Sequence, residues 1–162
     1  MQAAPFGRKE KPPGGARSRL YKARFQSDNT STRAALSDIR DAMAEASFKD
    51  DFIGRVEIVM AELFNNIAEH AYRDTGKGDV RCAIDISGST MVVEVTDQGE
   101  PMPGGEVPDG TLPDIDVDFS DLPEGGFGWF LIRSQVDRLT YERQALGNCT
   151  YLTFDLTRAG IS

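Results

Sequence analysis

Apolar positions along this chain repeat every second residue in some stretches and every third or fourth in others, and the switches between the two periods mark its elements. Leu20-Tyr21-Lys22-Ala23-Arg24-Phe25 alternates and predicts a first strand. Asp28-Asn29-Thr30-Ser31 then offers helix N-caps, and Ala35, Leu36, Ile39, Ala42, Met43 and Ala46 predict a helix over about 31–46. A second helix, capped by Asp50 or Asp51, carries the stripe Ile53, Val56, Met60, Leu63 and Ile67 and should end near Tyr72. Val80, Cys82, Ile84 and Ile86 form one alternating segment and Met91, Val93 and Val95 another, joined by a hairpin turn at Ser87-Gly88-Ser89. Residues 98–125 lack periodicity and are rich in Pro, Gly and Asp, the mark of a functional loop such as a lid. A helix over Gly126–Val136 and strands over Leu139–Arg143 and Thr150–Leu156 follow, with a turn at Leu146-Gly147-Asn148. The order predicts an α+β two-layer sandwich. Its mixed, mostly antiparallel sheet is covered on one face by three main helices.

Composition narrows the function. The 162 residues suit one domain, and 40% hydrophobic residues are enough for a core. Residues 1–17, rich in Pro, Gly, Lys and Arg, are expected to form a mobile basic tail ahead of a single domain over 18–162. The net charge is −8, yet residues 1–24 hold seven basic residues and one acid, leaving the rest at −14. So acidic a body offers no broad basic footprint for nucleic acid and repels an anionic membrane. No apolar run approaches the ~18–20 residues of a membrane span, and no signal-peptide stretch opens the chain. Cys82 and Cys149 read as small buried residues, which with these absences suggests a cytoplasmic protein. The single His70 excludes any mechanism that needs two histidines.

Three clusters carry candidate chemistry. On the second helix Glu62, Asn66 and His70 are spaced by four and share one face. A carboxylate and a carboxamide one turn apart suit a proton acceptor beside a hard divalent cation. Asp97-Gln98-Gly99-Glu100-Pro101 follows a strand: Asp97 can accept a hydrogen bond from an exocyclic amine, and Gly99 lets backbone approach a planar ring. Gly125-Gly126-Phe127-Gly128 opens a helix, where exposed N–H groups and the positive end of the dipole form a phosphate cradle. Neither the P-loop pattern nor the Rossmann fingerprint is present. Asp114-x-Asp116-x-Asp118 hints at a Ca²⁺ loop, but Phe119 and Gly125 stand where an EF-hand needs Gly and Glu.

Together, in this order and on these elements, the three clusters resemble the N, G1 and G2 boxes of the GHKL ATPase superfamily, which includes histidine kinase catalytic domains and gyrase. The resemblance covers about residues 20–157. It is nearest to the bacterial anti-sigma factor and serine-protein kinase branch, in which the N-box runs on into a His and a Tyr, as Asn66-Ile-Ala-Glu-His70-Ala-Tyr72 does. The lid of that branch leads into a run like Leu122–Gly126, and the following helix carries an Asp near its end, as at Asp137. The resemblance implies a Bergerat-type ATP-binding fold with ATP and Mg²⁺ as cofactors. It makes Asn66 the Mg²⁺ ligand and Glu62 the general base toward a protein serine or threonine hydroxyl. It implies Asp97 on the adenine amino group, Gly99 lining the base pocket, and Gly126, Phe127 and Gly128 in the nucleotide-binding set. The two glycines of that set present N–H groups to phosphates. Thr150 matches the threonine that helps hold adenine, although Cys149 stands where glycine is usual; His70 reads as structural or as a neighbour of the site. The implied partners are a STAS-domain anti-sigma antagonist and a sigma factor or other regulatory protein. The implied assembly is a homodimer formed through helix 31–46 and the first strand.

One departure keeps two functions open. The lid, residues 104–124, holds seven acids and no Lys or Arg. Cationic stabilisation of phosphoryl transfer must then come from Mg²⁺, backbone N–H groups or basic residues elsewhere, with Arg73 and Lys77 as candidates. The chain reads as a protein serine/threonine kinase, or as an ATP-holding partner switch with little or no turnover. A histidine kinase's catalytic domain is disfavoured, since no phosphoacceptor helix pair is present and the one His lies in the N-box. The acidic lid is expected to stay open or mobile without metal and nucleotide.

Overall fold

A computed structural model describes residues 15–108 and 127–157, with nothing said of the Phe127 side chain. The elements are β1 (Ser18–Gln26), α1 (Asn29–Glu45), α2 (Asp50–Asn66), a π-helical turn (Ile67–Ala71), β2 (Asp79–Ser87), β3 (Thr90–Asp97), a single turn at Pro103–Gly105, α3 (Phe127–Gln135), β4 (Arg138–Gln144) and β5 (Gly147–Asp155). The predicted tail lies in part, and Gly125, Gly126, Phe119 and most of the acidic lid lie wholly, outside the described residues.

The five strands run in the order β1-β2-β3-β5-β4. All four pairings are antiparallel, not mixed as predicted. β3 and β4 point the same way, but β5 returns between them and converts one parallel neighbour into two antiparallel ones. The inward side chains continue across the register: Ile84 opposes Val93 and Val93 opposes Leu152, all fully buried. Against this face α1 presents Ile39 and Met43, α2 presents Phe52, Val56, Met60 and Leu63, and α3 presents Trp129 and Ile132. Each fully buried aliphatic of this size contributes roughly 1.5–3 kcal/mol from removal of apolar area from water. This packing, more than intrinsic propensity, holds the helices.

The helix ends follow local chemistry. Asp28 caps α1: its carboxylate accepts from the Ser31 amide at 2.7 Å and the Ser31 hydroxyl at 2.8 Å. α1 closes in a Schellman arrangement, with Phe48 N donating to Met43 O at 3.2 Å and Ser47 N to Ala44 O at 3.0 Å. Ser47 occupies the left-handed position, φ 63°, that usually falls to glycine. On α2 the cap position is Lys49, without a side-chain bond. Asp50 and Asp51, predicted as caps, lie inside the first turn, where they complement the helix dipole instead. At the last hairpin the predicted turn at Leu146-Gly147-Asn148 shifts: Gln144 pairs with Gly147, so Ala145 and Leu146 make the turn and Gly147 and Asn148 belong to β5.

Candidate functional site

The second helix changes pitch where its polar residues begin. α2 ends at Asn66, and Tyr72 N donates to Ile67 O at 3.0 Å, a bond spanning five residues. Such π-turns inside helices occur frequently at functional sites. This one turns the Ala71 carbonyl outward, where it accepts from Glu100 N at 2.9 Å and so ties the helix end to the segment after β3. Tyr72 adds a second tie: its hydroxyl donates to Asp79 O at 2.6 Å and accepts from Gln98 N at 2.7 Å.

These ties frame a cavity of about 320 Å³. Its walls include Asn66 and His70 from the helix, Asp97 from β3, Asn148 and Thr150 from β5, and Trp129 from α3. Among the described residues its walls carry no Lys or Arg. The lining is mostly apolar with a few convergent polar groups, the usual character of a small-molecule site.

Two polar clusters stand within this frame. In the first, Gly128 at the start of α3 presses on Glu62 and Asn66: a Cβ added there would lie 2.8 Å from Glu62 Oε2 and 3.5 Å from Asn66 Oδ1. Asn66 is buried, and its Nδ2 has no hydrogen-bond partner among the described residues. A buried amide atom without a partner costs free energy that a ligand recovers. Turning the amide over would put its oxygen there, the donor a hard cation takes. No group of three or more His, Cys, Asp or Glu that could hold a metal occurs among the described residues. A cation there would find no such cluster among the described residues to complete its shell, which suits an ion that arrives already bound to a ligand's oxygens, as Mg²⁺ does with phosphates.

In the second cluster Asp97 is buried, and burial raises its carboxyl above the ordinary aspartate range. Hydrogen bonds from Asn148 and the Gly99 amide, and the nearby Arg143 charge, oppose that rise. Asp97 Oδ1 accepts from Gly99 N at 2.9 Å and from Asn148 Nδ2 at 2.8 Å.

The structure brings Glu62, Asn66 and Gly128 together, and it brings Asp97 and Thr150 onto one cavity. His70 lines the same cavity with its side chain 58% exposed. Gly99 is not among the cavity walls. Its Cα faces the π-turn, and an added Cβ would meet Ala71 O at 2.5 Å. Arg73 is engaged at the rim by Glu100 at 2.8 Å. Cys82 and Cys149 are buried free thiols, pushed up to about 12 and about 11 chiefly by burial. Asn148 and Tyr141 were missed by sequence reasoning. The alternation Phe154, Leu152, Thr150, carried back one more step, places Asn148 on the same inward face.

The profile of the histidine kinase-like ATPase domain matches residues 25–154. A serine-protein kinase RsbW from Oceanobacillus iheyensis is 26% identical over 113 residues, 69% of this chain and 70% of that protein. The solved RsbU and RsbW domains of Rv1364c from Mycobacterium tuberculosis share the fold with a TM-score of 0.55 at 16% identity, over 83% of this chain. The histidine kinase domain of the Erythrobacter litoralis EL346 blue-light activated kinase does so with 0.50 at 20%, over 79% of this chain. This chain spans 31% of the former structure's length and 62% of the latter's.

Proposed function

Because the chain belongs to the histidine kinase-like ATPase family, we propose that it binds Mg·ATP in the cavity between α2, α3 and the sheet and passes the γ-phosphoryl group to a protein serine or threonine. The observation that carries this reading is the buried amide nitrogen of Asn66, without a hydrogen-bond partner among the described residues, beside Glu62, with Gly128 of α3 pressed on both. Asp97 accepts the exocyclic amine of the base, and Thr150 lies on the same wall. Asn66 would hold Mg²⁺, which when bound neutralises phosphate charge and orients the terminal phosphoryl group. Gly126, Phe127 and Gly128 belong to the nucleotide-binding set, the two glycines offering N–H groups to phosphate at the positive end of α3. Glu62 accepts the proton of the attacking hydroxyl as its oxygen forms the new bond to phosphorus and ADP leaves.

The likeness to a serine-protein kinase RsbW supports the finer reading: a STAS-domain anti-sigma antagonist as substrate and a sigma factor or other regulatory protein as the sequestered partner. In this reading residues 18–162 act as one kinase domain behind a basic tail, as a homodimer built on α1 and β1. Among the described residues no helix is long and apolar enough to cross a membrane. The test is transfer of γ-phosphate to a co-encoded STAS protein, with Glu62→Ala expected to abolish transfer and keep ATP binding. Intact binding without transfer by the unmodified chain would refute the kinase reading. That outcome would favour an ATP-holding partner switch, a reading supported by the absence of a cation on the described cavity walls and by the engagement of Arg73 with Glu100.

A further inference from the structure

Asn148 makes all four hydrogen bonds open to its amide. Its Nδ2 donates to Asp97 Oδ1 and to Glu100 O, both at 2.8 Å. Its Oδ1 accepts from the Tyr141 hydroxyl and from Arg143 Nη1 at 3.1 Å. The amide's orientation follows from its partners: the guanidinium can only donate and the Glu100 carbonyl can only accept, so oxygen faces Arg143 and nitrogen faces Glu100. The lock is braced in turn, because the Tyr141 hydroxyl oxygen accepts from Met102 N at 3.0 Å and Arg143 Nη1 also donates to Gly99 O at 2.7 Å.

The consequence falls on Asp97. One of its oxygens is committed to two N–H donors, Gly99 N and Asn148 Nδ2. The other takes no hydrogen bond from any described residue, and Asp97 forms part of the cavity wall. A carboxylate held this way offers the cavity an acceptor and no donor. We propose that Asn148 is a positioning residue for base selection: it fixes Asp97 as an acceptor, so that the site takes a purine with an amino group at the contacted edge and rejects one with an oxo group there. A ligand with an oxo group would set oxygen against oxygen, leaving two buried acceptors unpaired, and sites of this type reject such analogues strongly. Without Asn148 the buried carboxylate loses one of its two donors, becomes easier to protonate and to rotate, and can donate to an oxo group.

This inference rests on the ATP-site reading, and calorimetry with ATP and with inosine triphosphate separates the two. The two nucleotides differ at the purine's 6-position, amino against oxo, and in the proton this adds at N1. The wild-type chain should bind ATP more tightly than inosine triphosphate. In Asn148→Ala, ATP affinity should fall about tenfold, the scale of one hydrogen bond to a charged group, while inosine triphosphate binding stays level or rises. The ATP preference should then shrink by about tenfold or more. Tyr141→Phe keeps the ring and removes one bond from Asn148 Oδ1; it should move the ratio the same way by a smaller factor and serves if Asn148→Ala melts early. Equal losses for both nucleotides, or an unchanged ratio in both variants, would show Asn148 to be merely structural and overturn the proposal. Binding of neither nucleotide by the wild-type chain would overturn the ATP-site reading and the proposal with it.

Discussion

Replacing Gly99 with alanine should unfold this protein several degrees earlier, and the reason lies in the π-turn rather than in the ligand. A Cβ at residue 99 would stand 2.5 Å from Ala71 O and 2.6 Å from both Ala71 C and Cβ. Ordinary contact begins near 3.4 Å, so the two segments must part by about 0.9 Å. The obstacle is backbone, which cannot swing aside as a side-chain tip can. The same movement stretches the bond from Glu100 N to Ala71 O, now 2.9 Å, beyond useful length. Overpacking costs about 1–3 kcal/mol and the lost bond about 1 kcal/mol, while the alanine's smaller unfolded-state entropy returns less than about 1 kcal/mol. A net loss of about 2 kcal/mol corresponds to a fall of about 4–8 °C in Tm for a chain of this size. Thermal unfolding followed by circular dichroism, without nucleotide, is the assay. An unchanged Tm accompanied by lost nucleotide binding would refute the argument and return Gly99 to the base-lining role first read from the sequence.

Other outcomes follow from the same geometry. Gly128→Ala should leave stability level or up to about 1 kcal/mol higher, because alanine favours the helix and the obstructing Glu62 carboxylate is a flexible tip. Phosphoryl transfer should fall on the order of 10–100-fold as that carboxylate is displaced, and parallel melting and transfer assays check both signs. ATP affinity should drop on acidification at a pH above that at which an ordinary aspartate, at 3.8, protonates, since burial raises Asp97 and protonation removes the acceptor. Stability moves the other way: a raised carboxyl binds its proton more tightly when folded, so wild type should gain on Asp97→Asn as pH falls through the raised value, read as a changing Tm difference. Ser47→Gly should raise stability by about 0.5–1 kcal/mol in urea unfolding, because a serine at φ 63° bears a left-handed cost that glycine escapes at a smaller entropic penalty.

Much of the architecture was legible because burial enforces periodicity. The inward alternation of β2 and β3 and the stripe of α2 mark those elements, and the glycine-flanked segments mark the site. Three features escaped. The all-antiparallel sheet depends on β5 entering between β3 and β4, a long-range choice that no local pattern encodes. The π-turn inserts its extra residue into an otherwise regular i, i+4 run from Glu62 to His70, so the sequence still looks helical. Asn148 was hidden because Gly-Asn is a turn signature, and its pairing with Asp97 overrode that local preference. Gly99 carries a demand that the sequence hid: a glycine after a buried strand reads as room for a ligand, and here its missing Cβ also makes room for the chain's own Ala71 carbonyl.

The central claim is that one ATP occupies the cavity with its base on Asp97. A calorimetric titration of Mg·ATP into the full chain and into Asp97→Asn tests it most directly. An asparagine that keeps its oxygen toward Gly99 N and Asn148 turns its own amino group to the base, setting donor against donor. The account predicts saturable one-to-one binding by the wild-type chain and a loss of about tenfold or more in the variant, with the fold retained. Absence of binding by the wild-type chain, or equal affinity for the two proteins, would contradict it.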